Sequence, residues 1–275
     1  MRRFSIIGLA LMAVLAFSVV AASSASALPQ FYHCSKVDTN ALSGPYPTEK
    51  NCEELKNVGS GEWWWSEFSG AEKLSFTDSG NVTKFHSALV QVQCEKNTST
   101  GEITSGMGSM LASKIVIQYE KCHIEGKPTE RCGNEPGAAS ETIKTKALMG
   151  TLGYATNPQD AKHVGMMIEA EAGTLATFNC EKVANPIEVL GKVIGLFPEV
   201  EINTMLKAFT LNFECENGGL GHNEKQKDQG LWLLGSPEKF EGTLHLEGKI
   251  GVLKGEACQE GPETITLDGE GEIMA

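Results

Sequence analysis

The sequence holds eight cysteines and six histidines, yet no C-x2-C or H-x3-H pair. Structural zinc needs ligands spaced that closely, so no metal ligand is expected here. Equally missing are G-x-S-x-G, H-E-x-x-H and a phosphate-cradling loop, and Gly106-Met107-Gly108-Ser109-Met110 lacks the Lys and the helix of a P-loop. No catalytic residue and no cofactor are therefore expected. Cations are scarce, with 23 Lys+Arg against 35 Asp+Glu and a net charge of −12. Such a surface repels nucleic acid and anionic lipid, which excludes both as partners. Helix-period stretches are few, and beyond the N-terminus no apolar run could span a bilayer.

What is there begins with an export signal. Arg2 and Arg3 precede an almost wholly apolar run from Phe4 to Ala22, and Ala25-Ser26-Ala27 supplies an A-x-A pattern before Leu28. The run is long enough for an anchor, but the A-x-A and the polar chain after it favour cleavage after Ala27. Residues 1–27 are thus expected to be a signal peptide that meets the membrane only transiently, and the protein to be secreted, extracellular or at the cell surface. All eight cysteines (Cys34, Cys52, Cys94, Cys122, Cys132, Cys180, Cys215 and Cys258) lie beyond it. An even count in an oxidising compartment reads as four disulfides.

Strand alternation recurs through the rest. In "AFTLNFEC" Phe209, Leu211, Phe213 and Cys215 share one face; "ALVQVQC" places Ala88, Val90, Val92 and Cys94 together, and "TLATFNC" does so for Ala176, Phe178 and Cys180. "SKIVIQYEKC" puts Ile115, Ile117 and Tyr119 inward, and "PQDAKHVGMMIEAEAG" reads as a strand because Gly165 interrupts its helical alternative. Turn signals such as Asn134-Glu135-Pro136-Gly137 separate the runs. The pattern predicts an all-β, antiparallel sandwich or barrel, stapled by disulfides. Residues 28–70 would form a small N-terminal disulfide loop or hairpin, and 71–275 the main β domain. Cys122 falls on the parity opposite to Ile115 and Ile117, so a local Cys122–Cys132 bridge is expected, as is Cys34–Cys52. The other four have three connectivities open, with Cys94–Cys180 and Cys215–Cys258 preferred from their inward parity.

In this order the pieces resemble a known group. The residues that carry the likeness are Cys34, Gly44-Pro45-Tyr46 and Cys52, leading into Gly59-Ser60-Gly61-Glu62-Trp63. Cys94 with "STGEIT" (99–104), Cys122 and Cys132 with "PGAAS" (136–140), and "LMGTLGYA" (148–155) follow. "GTLATFNC" (173–180), "GKVIG" (191–195), "FTLNF" (209–213), "KFEG" (239–242) and "ETITL" (263–267) complete it. The chain is similar to a paralogous group of secreted, Gly/Thr-rich, β-rich actinobacterial proteins of unknown function. The resemblance implies export and a β fold, and it implies no activity. Cys215, Cys258 and the triple Trp depart from the group.

Three stretches invite chemistry. Asp78-Ser79-Gly80 matches the D-[ST]-G triplet of aspartic proteases, but those enzymes need two such carboxylates and one copy exists here. It reads as a turn. "LDGEGE" sets Asp268, Glu270 and Glu272 on one face without the spacing of a calcium loop, so it reads as a solvated edge strand. "GEWWWSEFSG" places Trp63, Trp64 and Trp65 side by side. On a strand, Trp63 and Trp65 share a face, and they are expected to pack inward as a lid with Trp64 outside. The competing reading makes the three Trp a binding platform for a polysaccharide or cell-wall component. The function expected is non-catalytic interaction at a surface or matrix, with carbohydrate binding as the alternative. A secreted hydrolase, whose carboxylate pair nothing in so many Glu singles out, is a further one.

Overall fold

The computed structural model describes residues 29–36, 63–67, 72–87, 89–104, 111–138, 140–155, 163–217, 224–226 and 246–274. Its regular elements are strands and two single-turn 3-10 segments, Pro136–Ala138 and Glu199–Glu201. The strands begin with β1 (Gln30–Lys36), β2 (Trp63–Glu67), β3 (Lys73–Gly80), β4 (Thr83–Ser87), β5 (Gln91–Cys94) and β6 (Lys96–Thr104). Then come β7 (Leu111–Glu120), β8 (His123–Ile124), β9 (Lys127–Gly133), β10 (Thr142–Lys144), β11 (Leu148–Tyr154) and β12 (Val164–Cys180). The last are β13 (Ile187–Leu196), β14 (Met205–Phe213), β15 (Cys215–Asn217), β16 (Glu224–Gln226), β17 (Leu246–Ile250) and β18 (Leu253–Met274).

Among the described residues every strand pairing is antiparallel, and the main sheet closes on itself twice. One circuit runs β3-β6-β7-β11-β12-β13-β14-β18 and returns to β3. The other runs β4-β5-β8-β9-β12-β13-β17-β18 and returns to β4. The circuits share β12, β13 and β18 and use different halves of them. Closure satisfies strand edges without a helical cover, which answers the sandwich-or-barrel alternative in favour of barrel-like closure. The alternation that marks each strand in sequence is the alternation of burial: Val92 and Cys94, Ile115 and Ile117, Ala176 and Phe178, Phe209 and Leu211 all face one continuous core.

The shared strands change partners at glycines. Between Glu169↔Lys192 and Thr174↔Leu190 β12 carries four residues against the single Gly191 of β13, a bulge whose Gly173 and Gly191 hold φ of 73° and 97°. On β18 the change falls at Gly261, with φ 130° and a Cβ position 2.9 Å from the Val82 carbonyl oxygen. An L side chain there meets both strain and a backbone atom. Gly261→Ala is expected to cost about 1–3 kcal/mol, read as a lower midpoint of thermal unfolding. An unchanged midpoint would mean that this crossing is not fixed as described.

Two elements differ from the sequence reading. Asp78-Ser79-Gly80 is the end of β3, not a turn, and Asp78 is buried. The "LDGEGE" segment belongs to β18, whose flanks are paired on both sides: Thr266 faces Thr77 of β3 and Ala208 of β14, and Glu272 faces Tyr32 of β1 and Met205 of β14, while Asp268, Gly269 and Glu270 between them bulge opposite Lys207. It is no edge strand, and burial raises the Glu272 carboxyl above the ordinary range. The N-terminal β1 joins the main sheet through β18 and pairs with β2 on its other side.

Candidate functional site

Two carboxyl groups meet inside the sheet. On β3, Leu74, Phe76 and Asp78 share the inward parity, and on β18 Glu263, Ile265 and Leu267 do. Gly80 lies opposite Glu263 and Asp78 opposite Ile265, so the two acids are diagonal neighbours on adjacent strands. Their exposures are 5% and 3%, and they hydrogen-bond to each other. Ser99, directly opposite Asp78 on β6, donates its Oγ to Asp78 Oδ2 at 3.1 Å. Gln259 Nε2 donates to Glu263 Oε1 at 2.9 Å.

Protonation follows from this geometry. Asp78 Oδ1 is buried and meets no N–H or hydroxyl donor among the described residues, which leaves the adjacent Glu263 carboxyl, when protonated, as the group able to serve it. Burial first, and then the adjacent Asp78 charge, push the Glu263 carboxyl well above its ordinary range. Burial also raises Asp78, against the hydrogen bonds from Glu263, Ser99 and the Ser79 and Thr264 backbone that favour its ionised form. Both carboxyls are pushed toward their protonated forms, Glu263 the more strongly, which favours one proton held between them. The Tyr119 hydroxyl, hydrogen-bonded to Gln259, is held protonated by burial and then by the charges of Glu263 and Asp78.

Beside the cluster lies a cavity of about 60 Å³, walled by apolar groups such as Phe85, Ile117, Phe178 and Val193, with Thr83, Tyr119 and Gln259 as its polar corner. A water takes ~30 Å³ in the liquid, and small-molecule sites run to ~300–1,000 Å³, so this space is far below substrate size. Asp78 and Glu263 form no part of its wall. Asn97 backs the polar corner, its Nδ2 donating to Thr83 Oγ1 at 2.7 Å. Asp78 and Glu263 are thus engaged with each other, with Ser99 and with Gln259.

Sequence reasoning missed this cluster, although a signal existed. Asp78 and Glu263 each occupy an apolar-parity position of a strand, the place where a carboxylate costs most. Among the described residues no three His, Cys, Asp or Glu side chains converge as metal ligands. His86 lies 3.9 Å from Glu125 and 3.5 Å from Glu260.

The cysteines correct the expected pairing. Cys94 is bonded to Cys122, Cys132 to Cys180, and Cys215 to Cys258. The last is the bridge preferred from parity, whereas Cys122–Cys132 and Cys94–Cys180 are overturned. Cys122 and Cys132 are backbone neighbours, Cys132 N donating to Cys122 O at 2.8 Å, but their side chains reach different strands. The parity argument failed at Lys121, whose φ of 53° breaks the alternation after β7 and turns the fully buried Cys122 inward. Cys132 meets Cys180 because the two are direct partners on β9 and β12. The Cys34–Cys52 pairing lies outside the described residues. Trp63, Trp64 and Trp65 do form a strand, in register with Lys36, Ser35 and Cys34, and the direction of their rings lies outside the described residues. No protein-family model, curated protein or solved structure matches this chain.

Proposed function

We propose that the protein is exported and acts without catalysis, by binding a component of a surface or matrix through its outer face. The observation that carries this is the closed interior: its acids satisfy one another, and its cavity is too small for a substrate. Among the described residues three disulfides suit an oxidising, extracellular compartment, and no helix there is long and apolar enough to cross a membrane. The outward positions are water-facing and ion-paired, as in Lys254–Glu247, Lys249–Glu188 and Lys192–Glu169, each at 2.8 Å. Removal of residues 1–27 and the likeness to the secreted actinobacterial group belong to the same proposal.

The test is a pull-down of the purified mature protein on cell walls and glycans, alongside N-terminal sequencing of exported material. Retention without turnover, on a chain beginning Leu28-Pro29-Gln30, is the expected result. Hydrolysis of any retained polymer would replace this reading with the hydrolase one. A second reading, a carbohydrate platform at Trp63–Trp65, is favoured by the strand conformation of that segment on β2, joined to the sheet through β1. Trp63→Ala then abolishes retention with unchanged thermal stability, whereas a buried Trp63 costs ~3–5 kcal/mol on truncation.

A further inference from the structure

The registers of five neighbouring strands align two uncharged rows on the outer face. In one row Gln118, Thr98, Ser79, Thr264 and Thr210 are successive partners across β7, β6, β3, β18 and β14. In the next, Val116, Thr100, Thr77, Thr266 and Ala208 are. The middle of this field is a two-by-three grid of exposed hydroxyls: Thr98, Ser79 and Thr264 above Thr100, Thr77 and Thr266. Strand geometry spaces them ~4.8 Å across the sheet and ~7 Å along it. Among the described residues these hydroxyls have no hydrogen-bond partner in the fold. Charge returns at the rims, where Lys96 pairs with Glu120 at 2.8 Å, Glu102 takes both Lys73 at 2.9 Å and Lys114 at 3.2 Å, the Glu201 carboxylate accepts from Thr210 N at 2.7 Å, and Asp268 follows Thr266 as the next exposed position of β18.

Threonine suits an exposed strand for its own sake. Strand propensity does not, however, call for charge to be absent, and the outer positions of β12, β13, β17 and the start of β18 do carry ion pairs. We infer that this grid is the docking face, and that its partner is an uncharged polysaccharide. The inference rests on the surface-binding reading above and names its site and ligand class. A hydroxyl both donates and accepts, which matches the hydroxyls of a sugar. The two rows themselves carry no charged side chain to complement an ionic polymer. Each contact in such an array is weak in water, so a repeating polymer, engaging several at once, is the ligand that profits.

The experiment is sedimentation of the mature protein with microcrystalline cellulose and with chitin, at low salt and at about 1 M NaCl, where surface charge is screened. Binding that survives high salt is expected. Thr77→Val, Thr98→Val and Thr266→Val together keep shape and strand propensity, and they should lower binding at least ~10-fold with the unfolding midpoint preserved. The same three positions changed to Ser restore the hydroxyls and should restore binding, which separates hydroxyl recognition from a structural defect. Undiminished binding by the Val variant overturns the face, while the surface-binding reading stands. Loss of wild-type binding at high salt overturns it too, because charge would then be the attraction. If neither polysaccharide is bound but whole cell walls are, the ligand class falls and the surface reading survives. If walls are not bound either, both fall.

Discussion

Thermal stability of the wild-type protein should fall as pH rises above the ordinary carboxylate range, and Glu263→Gln should abolish most of that fall. The folded Glu263 carboxyl is held well above the value near 4.5 that the unfolded chain has, first by burial and then by Asp78. A group with a raised folded pKa contributes its stability fully below the unfolded value and loses it as pH rises through the folded one. One such proton gives a slope of about 1.4 kcal/mol per pH unit between the two values. Opposing contributions are separable. Lys73 and Lys114 hold the exposed Glu102 low and Lys121 does so for Glu95, but screening at the surface leaves such pairs little weight. His33, lowered by burial, favours the folded state at higher pH. The difference between wild type and Glu263→Gln cancels both.

The amide in that variant reproduces the protonated acid. It donates to Asp78 Oδ1 and still accepts from Gln259, so stability at neutral pH should be retained or increased. Glu263→Ala instead takes one buried hydrogen-bond partner each from Asp78 and Gln259 and opens a void, at a cost of ~3–5 kcal/mol. Chemical denaturation across pH 5 to 9 checks both variants. Parallel wild-type and Glu263→Gln curves would show that no proton is held between these acids.

The second large effect is expected from the disulfides. Replacing Cys94 and Cys122 together by Ala, or Cys132 and Cys180 together, should each cost about 4 kcal/mol. The bridged residues are 28 and 48 positions apart, and the unfolded chain regains that much loop entropy. For a domain of this size the unfolding midpoint should drop by roughly 8–16 °C. Non-reducing peptide mapping comes first: linked peptides should contain Cys94 with Cys122 and Cys132 with Cys180. A Cys122–Cys132 peptide would contradict the pairing of β5 with β8 and of β9 with β12.

The alternation in "ALVQVQC", "TLATFNC" and "AFTLNFEC" determined by itself that these segments are strands and which of their residues enter the core. Side chains alternate at period two whatever the strand lies beside, so this much is local. The same alternation held the places of Asp78 and Glu263, on the parity of Phe76 and Ile265, although neither residue looks like a core residue alone. What the tertiary structure decided is who stands next to whom. Cys94 and Cys180 share an inward parity but belong to strands that are not neighbours. Cys122 reaches Cys94 only because one left-handed residue, Lys121, resets its direction. The diagonal between Asp78 and Glu263, and the two rows of hydroxyls behind them, exist only in the register of β3 against β6 and β18. Register in a closed antiparallel sheet is set by pairings between segments far apart in the chain, by the bulge at Gly173 and Gly191, and by the change of partner at Gly261. A local period tells which face a residue takes, and it carries no information about the strand on the other side of the hydrogen bonds.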